Sequence, residues 1–129
     1  MRSWLLDRDF ALLSRSFTLY EIVDDGFATD LDRIQGIFLQ KKNLLKTRFQ
    51  DFKDCMDFLD PVDRLIHQKR INRKWGTSED LLKIVEDHFG HPISHGALLF
   101  ALDLRGVWLE QINGRKDAYL SISSKSELC

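Results

Sequence analysis

The feature that most constrains the fold is a change in the spacing of apolar residues at Gly106. Before this glycine, apolar side chains recur every three or four residues, as is typical of amphipathic helices. After it they alternate over residues 107–112 and 118–123, on either side of Asn113-Gly114. Alternation around an Asn-Gly pair is a strong short-range signal for a β-hairpin. The sequence therefore predicts an α+β fold that is mainly α-helical and ends in a hairpin.

Two helices with clear end signals precede the hairpin. Thr77 is a favourable N-cap residue for a helix over 78–89, and Gly90 suits the left-handed position that ends such a helix. Ser94 is the N-cap residue of a further helix over 94–105. These signals predict two short helices joined by a tight turn.

A third helix is predicted just before this pair. Asp60-Pro61 combines an N-cap residue with proline at the first helical position, and Gly76 ends the segment. We therefore expect a helix over 61–75.

The longest segment with a helical pattern covers residues 30–59, after an N-cap at Thr29. An unbroken helix of this length would measure about 45 Å, which is long for a domain of 129 residues. The alternatives are a kink at Gly36 or around residues 41–43, or pairing of the apolar stripe with a second copy of the chain. We predict a homodimer whose contact includes Phe49 and Phe52.

The chain is expected to form one domain over residues 1–129, with a helical part over 1–60 and a frayed tail over 124–129. The helical part begins with a helix over 3–23 that ends at the turn Asp24-Asp25-Gly26. No stretch approaches 18 consecutive apolar residues, and charges come too early for a signal peptide. Two cysteines, one of them the last residue, indicate a reducing compartment. We predict a cytoplasmic protein that does not contact a membrane.

The predicted order of elements from residue 61 to 123 is helix, helix, helix and hairpin. This order resembles the winged helix-turn-helix arrangement, and the resemblance covers 63 of the 129 residues. It implies that helix 94–105 is the recognition helix and that Arg115 and Lys116 form the tip of the wing.

The side chains of helix 94–105 favour a protein contact over DNA reading. On a helical wheel, His95, Leu99 and Asp103 lie opposite the most apolar side. Base edges and phosphates are bound mainly by Arg, Lys, Asn, Gln and Ser, and an aspartate repels phosphate. We therefore expect this stripe to contact a protein partner.

Residues 41–74 carry ten Lys or Arg against five Asp, a net charge of +5, although the whole chain has a net charge of −1. Such a basic segment is either a nucleic-acid contact or a solvated helix face. The candidate nucleic-acid ligands are Arg64, Lys69, Arg70, Arg73 and Lys74 of helix 61–75, together with Arg105, Arg115 and Lys116. We expect any binding through them to be weak, salt-sensitive and not sequence-specific.

Three histidines, His88, His91 and His95, lie close together where the chain should turn. Imidazole groups at this spacing can converge on zinc, but no cysteine pair completes the ligand set. We therefore predict that the protein binds no metal and no cofactor. The three histidines are the weak candidates for metal ligands.

The sequence contains no phosphate-binding glycine loop, nucleophile elbow, zincin motif or dinucleotide fingerprint. We accordingly predict a protein that is not an enzyme. The favoured function is a non-catalytic interaction module, a small accessory or regulatory protein that binds a protein partner and itself. The alternative is a winged-helix transcriptional regulator that contacts DNA through helix 61–75 and the wing.

Overall fold

The computed structural model describes residues 22–59 and 67–122. The predicted helix over 3–23 and the predicted tail over 124–129 therefore lie outside the described residues, apart from the last two residues of that helix. The elements are β1 (Ile22–Val23), β2 (Gly26–Phe27), α1 (Asp30–Ile34), α2 (Phe38–Leu45), α3 (Phe49–Leu59), β3 (His67–Thr77), α4 (Ser78–Phe89), α5 (His95–Leu104), β4 (Leu109–Gln111) and β5 (Ala118–Ile122).

The strands form two antiparallel sheets. β1 and β2 make a two-stranded hairpin, and the other three strands make a sheet in the order β3-β5-β4. The fold is thus α+β, as the change in apolar spacing predicted. Within the described ranges, no helix combines the length and the apolar character that a membrane span requires.

Helix α5 lies at the centre of the fold. All residues from His95 to Leu102 are buried, since the helix is apolar on nearly every side, which is typical of a core helix. It packs against α3, α4 and the β1–β2 hairpin. The ring centroids of Phe52 and Phe100 lie 5.3 Å apart in the contact with α3.

Residues 30–59 form three helices, so one long helix over this segment is not confirmed. The first break is at Gly36, where a kink was expected and where φ is +71°. The second break is at residues 46–48, whose backbone N–H groups donate to carbonyls three residues earlier. This second turn allows α3 to reverse onto α5, which no straight helix of 30 residues could do.

The apolar stripe of α3 is covered by the same chain. Phe52 is fully buried and Phe49 packs against the core. The prediction that these two residues form a dimer contact is therefore wrong for Phe52, because α5 already occupies that face.

The prediction of a helix over 61–75 is also wrong for its described part, because residues 67–77 form strand β3. Between Ile66 and Trp75 the only apolar side chain is Ile71, so the segment lacks the stripe that would bury a helix. Pairing with β3 instead completes the hydrogen bonds of β5, whose other edge is occupied by β4.

Strand β3 is strongly bulged where it pairs with β5. Asn72 holds one bulge in place, because its side-chain NH₂ donates to the Ile122 carbonyl at 2.8 Å. Its side-chain oxygen also accepts the backbone N–H groups of Lys74 and Trp75, at 3.0 and 3.2 Å. The long strand is thereby shortened to match a partner of five residues.

The local signals between residues 77 and 122 are confirmed. Helix α4 follows Thr77 and is followed by Gly90, where φ is +78°. Helix α5 follows Ser94, whose hydroxyl accepts the Ala97 N–H at 3.1 Å. The hairpin turns at Asn113-Gly114, as predicted.

Gly96 provides a test of the close contact between α5 and β1. A Cβ at this position would overlap the Val23 carbonyl, so we expect Gly96→Ala to destabilise the fold by about 3 kcal/mol or more. Gly36→Asn is the control, since nothing lies near Gly36 and asparagine tolerates its left-handed backbone. Chemical denaturation should show a loss below about 0.5 kcal/mol for the control. Equal stability of the two variants would contradict the proposed close contact.

Candidate functional site

The turn Asp24-Asp25-Gly26 lies directly on the N-terminal end of α5. The Asp24 carbonyl accepts the Gly96 N–H at 3.0 Å and the Ser94 hydroxyl at 2.8 Å. The Asp24 N–H donates to the Lys41 carbonyl of α2 at 3.2 Å. One turn therefore ties the β1–β2 hairpin to two helices.

The two carboxylates of this turn each bind cations from other elements. Asp24 accepts two hydrogen bonds from the Arg48 guanidinium, at 2.7 and 3.2 Å. Asp25 accepts Lys41 Nζ at 2.9 Å and Lys116 Nζ at 2.5 Å. Lys41 also donates to Asp32 at 2.6 Å.

These ion pairs determine the protonation of the cluster. Burial alone would raise the pKa of Asp25, but the ammonium groups of Lys116 and Lys41 lower it below its ordinary value. The pKa of Asp32 is lowered against the same effect of burial, mainly by Lys41 and the Thr29 N–H. The hydrogen bond to Asp32 in turn raises the pKa of Lys41. Lys41 therefore stays charged and bound to the carboxylates of Asp25 and Asp32.

A serine, a histidine and an aspartate meet in the interior beside this turn. The Ser78 hydroxyl donates to Asp117 Oδ1 at 2.6 Å, and His95 Nε2 lies 2.8 Å from the same hydroxyl oxygen. Because the serine proton is directed at Asp117, the imidazole N–H donates to the serine. Ser78 also accepts the Ala118 N–H at 3.0 Å.

The order of these three groups differs from that of a hydrolytic triad, in which histidine lies between serine and carboxylate and removes the serine proton. Here serine lies in the middle, is fully buried, and is held by three partners. The cluster therefore joins α4, α5 and the hairpin turn, and offers no activated nucleophile.

Asp117 anchors the start of α4. Burial would raise its pKa, but hydrogen bonds from Ser78, Thr77 and the backbone N–H groups of Glu79 and Ala118 lower it below the ordinary value. The carboxylate thus remains charged at the positive end of the helix.

His95 has the opposite shift. Burial lowers its pKa below 6.5, although Asp117, Glu79 and the backbone of Asp25 favour the charged form. The imidazole is therefore neutral in the folded protein at neutral pH.

An open cleft of about 470 Å³ lies next to this cluster. One wall of the cleft is formed by the start of α3 and the 24–25 turn, and the opposite wall by the exposed side of α4. Residues 92–95 line the cleft between these walls. Five carboxylates and two basic side chains line it, and its apolar lining is Leu82, Pro92 and Ile93. The charged lining residues are Asp24, Asp25, Arg48, Asp51, Glu79, Lys83 and Glu86.

The predicted nucleic-acid ligands are spread over several elements. Arg70, Arg73 and Lys74 lie on β3 and are exposed, and Arg73 forms two hydrogen bonds to Glu110, at 2.9 and 2.8 Å. Lys116 binds Asp25, and Arg105 donates to the Leu59 carbonyl at 2.8 Å.

The remaining basic candidates are placed differently. Arg115 is exposed in the hairpin turn. Arg64 lies outside the described residues, as does the side chain of Lys69. No basic helix face is formed over residues 67–75, because these residues belong to a strand.

The predicted protein-contact stripe on helix 94–105 is not exposed, so that prediction is wrong for two of its three residues. His95 and Leu99 are buried, and Asp103 is partly buried, with a pKa that burial raises. A helical wheel places residues on faces of one helix, but it does not show that other elements cover every face.

The three weak metal candidates face different surroundings. His95 binds Ser78 inside the fold, whereas His88 packs edge-on against Phe58, with ring centroids 5.1 Å apart. His91 is exposed and lies 3.8 Å from Asp54. Among residues 22–59 and 67–122, no group of three or more His, Cys, Asp or Glu side chains is arranged to hold a metal ion.

Sequence reasoning missed the residues that build the site, namely Asp24, Asp25, Arg48, Ser78 and Asp117. The one available signal was the pair of aspartates in the 24–26 turn, which we interpreted only as turn chemistry. We found no match to this chain among protein-family models, curated proteins or solved structures.

The lowered pKa of His95 predicts a pH-dependent stability. The unfolded chain binds a proton at this histidine near pH 6.5, whereas the folded protein resists it. The free energy of unfolding should therefore fall as the pH drops below 6.5. Chemical denaturation between pH 7.5 and pH 5 should show this slope in the wild type and in His88→Gln, whose histidine is exposed. A slope that persists unchanged in His95→Gln would contradict the assignment to His95.

Proposed function

We propose that this protein is a non-catalytic interaction module, a small accessory or regulatory protein that acts by binding protein. The observation that carries the proposal is a group of exposed apolar side chains on α1 and α2. Leu31 is 58% exposed, Ile34 80% and Leu39 69%, and Leu44 is exposed as well. These four residues are called the α1–α2 apolar surface below.

Exposed side chains of this size are common singly but unusual as a group, and groups of them mark interaction sites. Leu31 and Ile34 are three residues apart and so project from the same side of α1. Farther along the segment, the apolar side chains of α3 from Phe52 to Leu59 are buried, and α3 packs against α5. The four residues of the α1–α2 apolar surface are thus left uncovered by the described core.

The occupant that we propose for this surface is a second copy of the chain. In a two-fold dimer the same surface meets itself, so an apolar surface is matched by an apolar one. Exposed Asp30 and Arg33 lie at opposite ends of the short helix α1. Antiparallel pairing of two α1 helices places each of these charges next to its opposite.

Charge insertion tests this assembly. At about 50 µM an interface with a Kd near 1 µM is almost fully occupied, so sedimentation velocity should show a wild-type dimer. Ile34→Asp combined with Leu39→Asp should weaken it by about 100-fold, because two apolar contacts become buried charges. Trp108→Asp is the matched control, since Trp108 is 57% exposed outside this surface. A monomeric wild type, or equal weakening by the control, would overturn self-association.

Nucleic-acid binding is the second candidate, and the topology favours it. Strand β3, helices α4 and α5 and the β4–β5 hairpin follow the order strand, helix, helix, hairpin, with the sheet order β3-β5-β4. This order supports the resemblance to a winged helix. Because α5 is buried, the contact would use Arg70 and Lys74 on β3 and Arg115 in the hairpin turn.

Binding of this kind should be weak and salt-dependent. We expect a labelled DNA duplex to bind with a Kd above about 1 µM and to be released by added salt, as counterion release requires. Arg70→Glu with Lys74→Glu should abolish the anisotropy change, whereas Lys53→Glu with Lys83→Glu alters the net charge equally at exposed positions elsewhere. No binding by the wild type at low salt would exclude this candidate, as would an equal loss in both double variants.

A further inference from the structure

The turn of the β4–β5 hairpin carries a reactive pair of residues. The chain has three asparagines, Asn43, Asn72 and Asn113, and only Asn113 precedes a glycine. Asn113 and Gly114 are both exposed, and nothing lies near the place that a Cβ on Gly114 would take. Within the described part of the chain, neither the Asn113 side chain nor the Gly114 N–H has a hydrogen-bond partner. The turn thus presents an unbound amide side chain next to an unbound backbone nitrogen.

These two groups can react with each other. After the Gly114 nitrogen loses its proton to solvent, it attacks Asn113 Cγ and closes a succinimide ring, while the Cγ–Nδ2 bond breaks and ammonia leaves. Water then opens the ring at either carbonyl. Cleavage between the Gly114 nitrogen and Cγ gives aspartate, and cleavage between this nitrogen and the Asn113 backbone carbonyl carbon gives isoaspartate. The net reaction converts an amide and water into a carboxylic acid and ammonia.

The residue after the asparagine and the hydrogen bonds of the side chain decide how fast the ring closes. Glycine favours closure, because it has no Cβ to obstruct the attack and its backbone turns freely. Asn72 precedes an arginine, and hydrogen bonds to the Ile122 carbonyl and to two backbone N–H groups of β3 hold its side chain. Asn43 precedes a leucine inside α2, and its Oδ1 accepts Lys46 Nζ at 2.9 Å. Neither of these asparagines shares the setting of Asn113.

A related pair, Asp25-Gly26, lies in the turn between β1 and β2. Aspartate before glycine can close the same ring, but it must then release one carboxyl oxygen as water. The Asp25 carboxylate binds the ammonium groups of Lys41 and Lys116, which hold it in the ionised form. An ionised carboxylate is a poor electrophile, so this pair serves as an internal control.

We propose that the Asn113-Gly114 turn is a modification site, at which the folded protein deamidates spontaneously to aspartate and isoaspartate with water as the co-reactant. The reaction requires neither self-association nor nucleic-acid binding. Either product adds a negative charge to a turn whose next residues are Arg115 and Lys116.

The modification also affects how the hairpin contacts β2. The Arg115 N–H donates to the Ile112 carbonyl at 2.7 Å and so closes the turn. The Lys116 carbonyl accepts the Phe27 N–H at 3.0 Å. Isoaspartate lengthens the backbone of this turn by one atom, so we expect the isolated isoaspartate form to exchange its Phe27 amide faster with solvent deuterium. Equal exchange in the modified and unmodified protein would overturn this consequence.

Peptide mapping of the full chain tests the site. The folded protein is kept for several weeks in mildly alkaline buffer and digested at acidic pH, where ring closure is slow. Mass spectrometry then identifies the products, and an isoaspartate methyltransferase labels the isomer. We expect both products at Asn113, formed at least about tenfold faster than at Asn43 or Asn72. The reaction should be much slower in mildly acidic buffer, because the attacking nitrogen must lose its proton.

Three outcomes of this mapping would overturn the proposal. These are the absence of both products at Asn113, a rate there no faster than at Asn43, and labelling at Asp25 in place of Asn113.

Variants separate this chemistry from general degradation. Asn113→Gln keeps an amide side chain but requires a larger ring that closes more slowly, so deamidation at this position should fall below detection. Asn43→Gln is the matched control, being the same change at an exposed asparagine of α2, and should leave the reaction at Asn113 unchanged. Gly114→Ala provides a second variant that should slow the reaction about tenfold by obstructing the attack. Isoaspartate in the hairpin turn of Asn113→Gln, or an equal loss in Asn43→Gln, contradicts the assignment.

Discussion

The fold depends on the contact between the Asp24-Asp25-Gly26 turn and the N-terminal end of α5. The Gly96 N–H and the Ser94 hydroxyl both donate to the Asp24 carbonyl, so the turn satisfies a donor that a helix end leaves unpaired. This contact is possible only because Gly96 lacks a side chain. The β1–β2 hairpin can therefore lie across the central helix, and α2 and α3 are positioned by the lysine and arginine that bind its two aspartates.

The buried polar cluster beside this turn also joins separate elements of the fold. Ser78, His95 and Asp117 come from the starts of two helices and from the hairpin turn. Each polar group in such a cluster must be paired, since an unpaired one costs about 1–3 kcal/mol. In this cluster the Ser78 hydroxyl is paired with His95, Asp117 and the Ala118 N–H. The described surface includes the α1–α2 apolar surface, the acidic cleft and the exposed cations of β3.

Predictions from the sequence succeeded where the signal involves residues within about four positions of each other. The capping residues Thr77 and Ser94, the left-handed Gly90 and the Asn113-Gly114 turn all belong to this class. Predictions failed where distant elements compete for the same segment. The pattern over residues 61–75 predicted a helix, but residues 67–77 form strand β3. This strand pairs with the edge of β5 that β4 leaves open, and the pairing partner is about 50 residues away in sequence.

The sequence by itself determined the α+β class, the ends of α4 and α5, the hairpin and the turn at 24–26, because these follow from backbone preferences and local hydrogen bonds. Only the tertiary structure decided which apolar faces are buried, so that His95 and Leu99 became interior and Ile34 remained exposed. It also decided that Lys116 binds Asp25, 91 residues away, instead of a phosphate. The physical reason is that burial and ion pairing depend on groups distant in sequence, whose proximity no local pattern encodes.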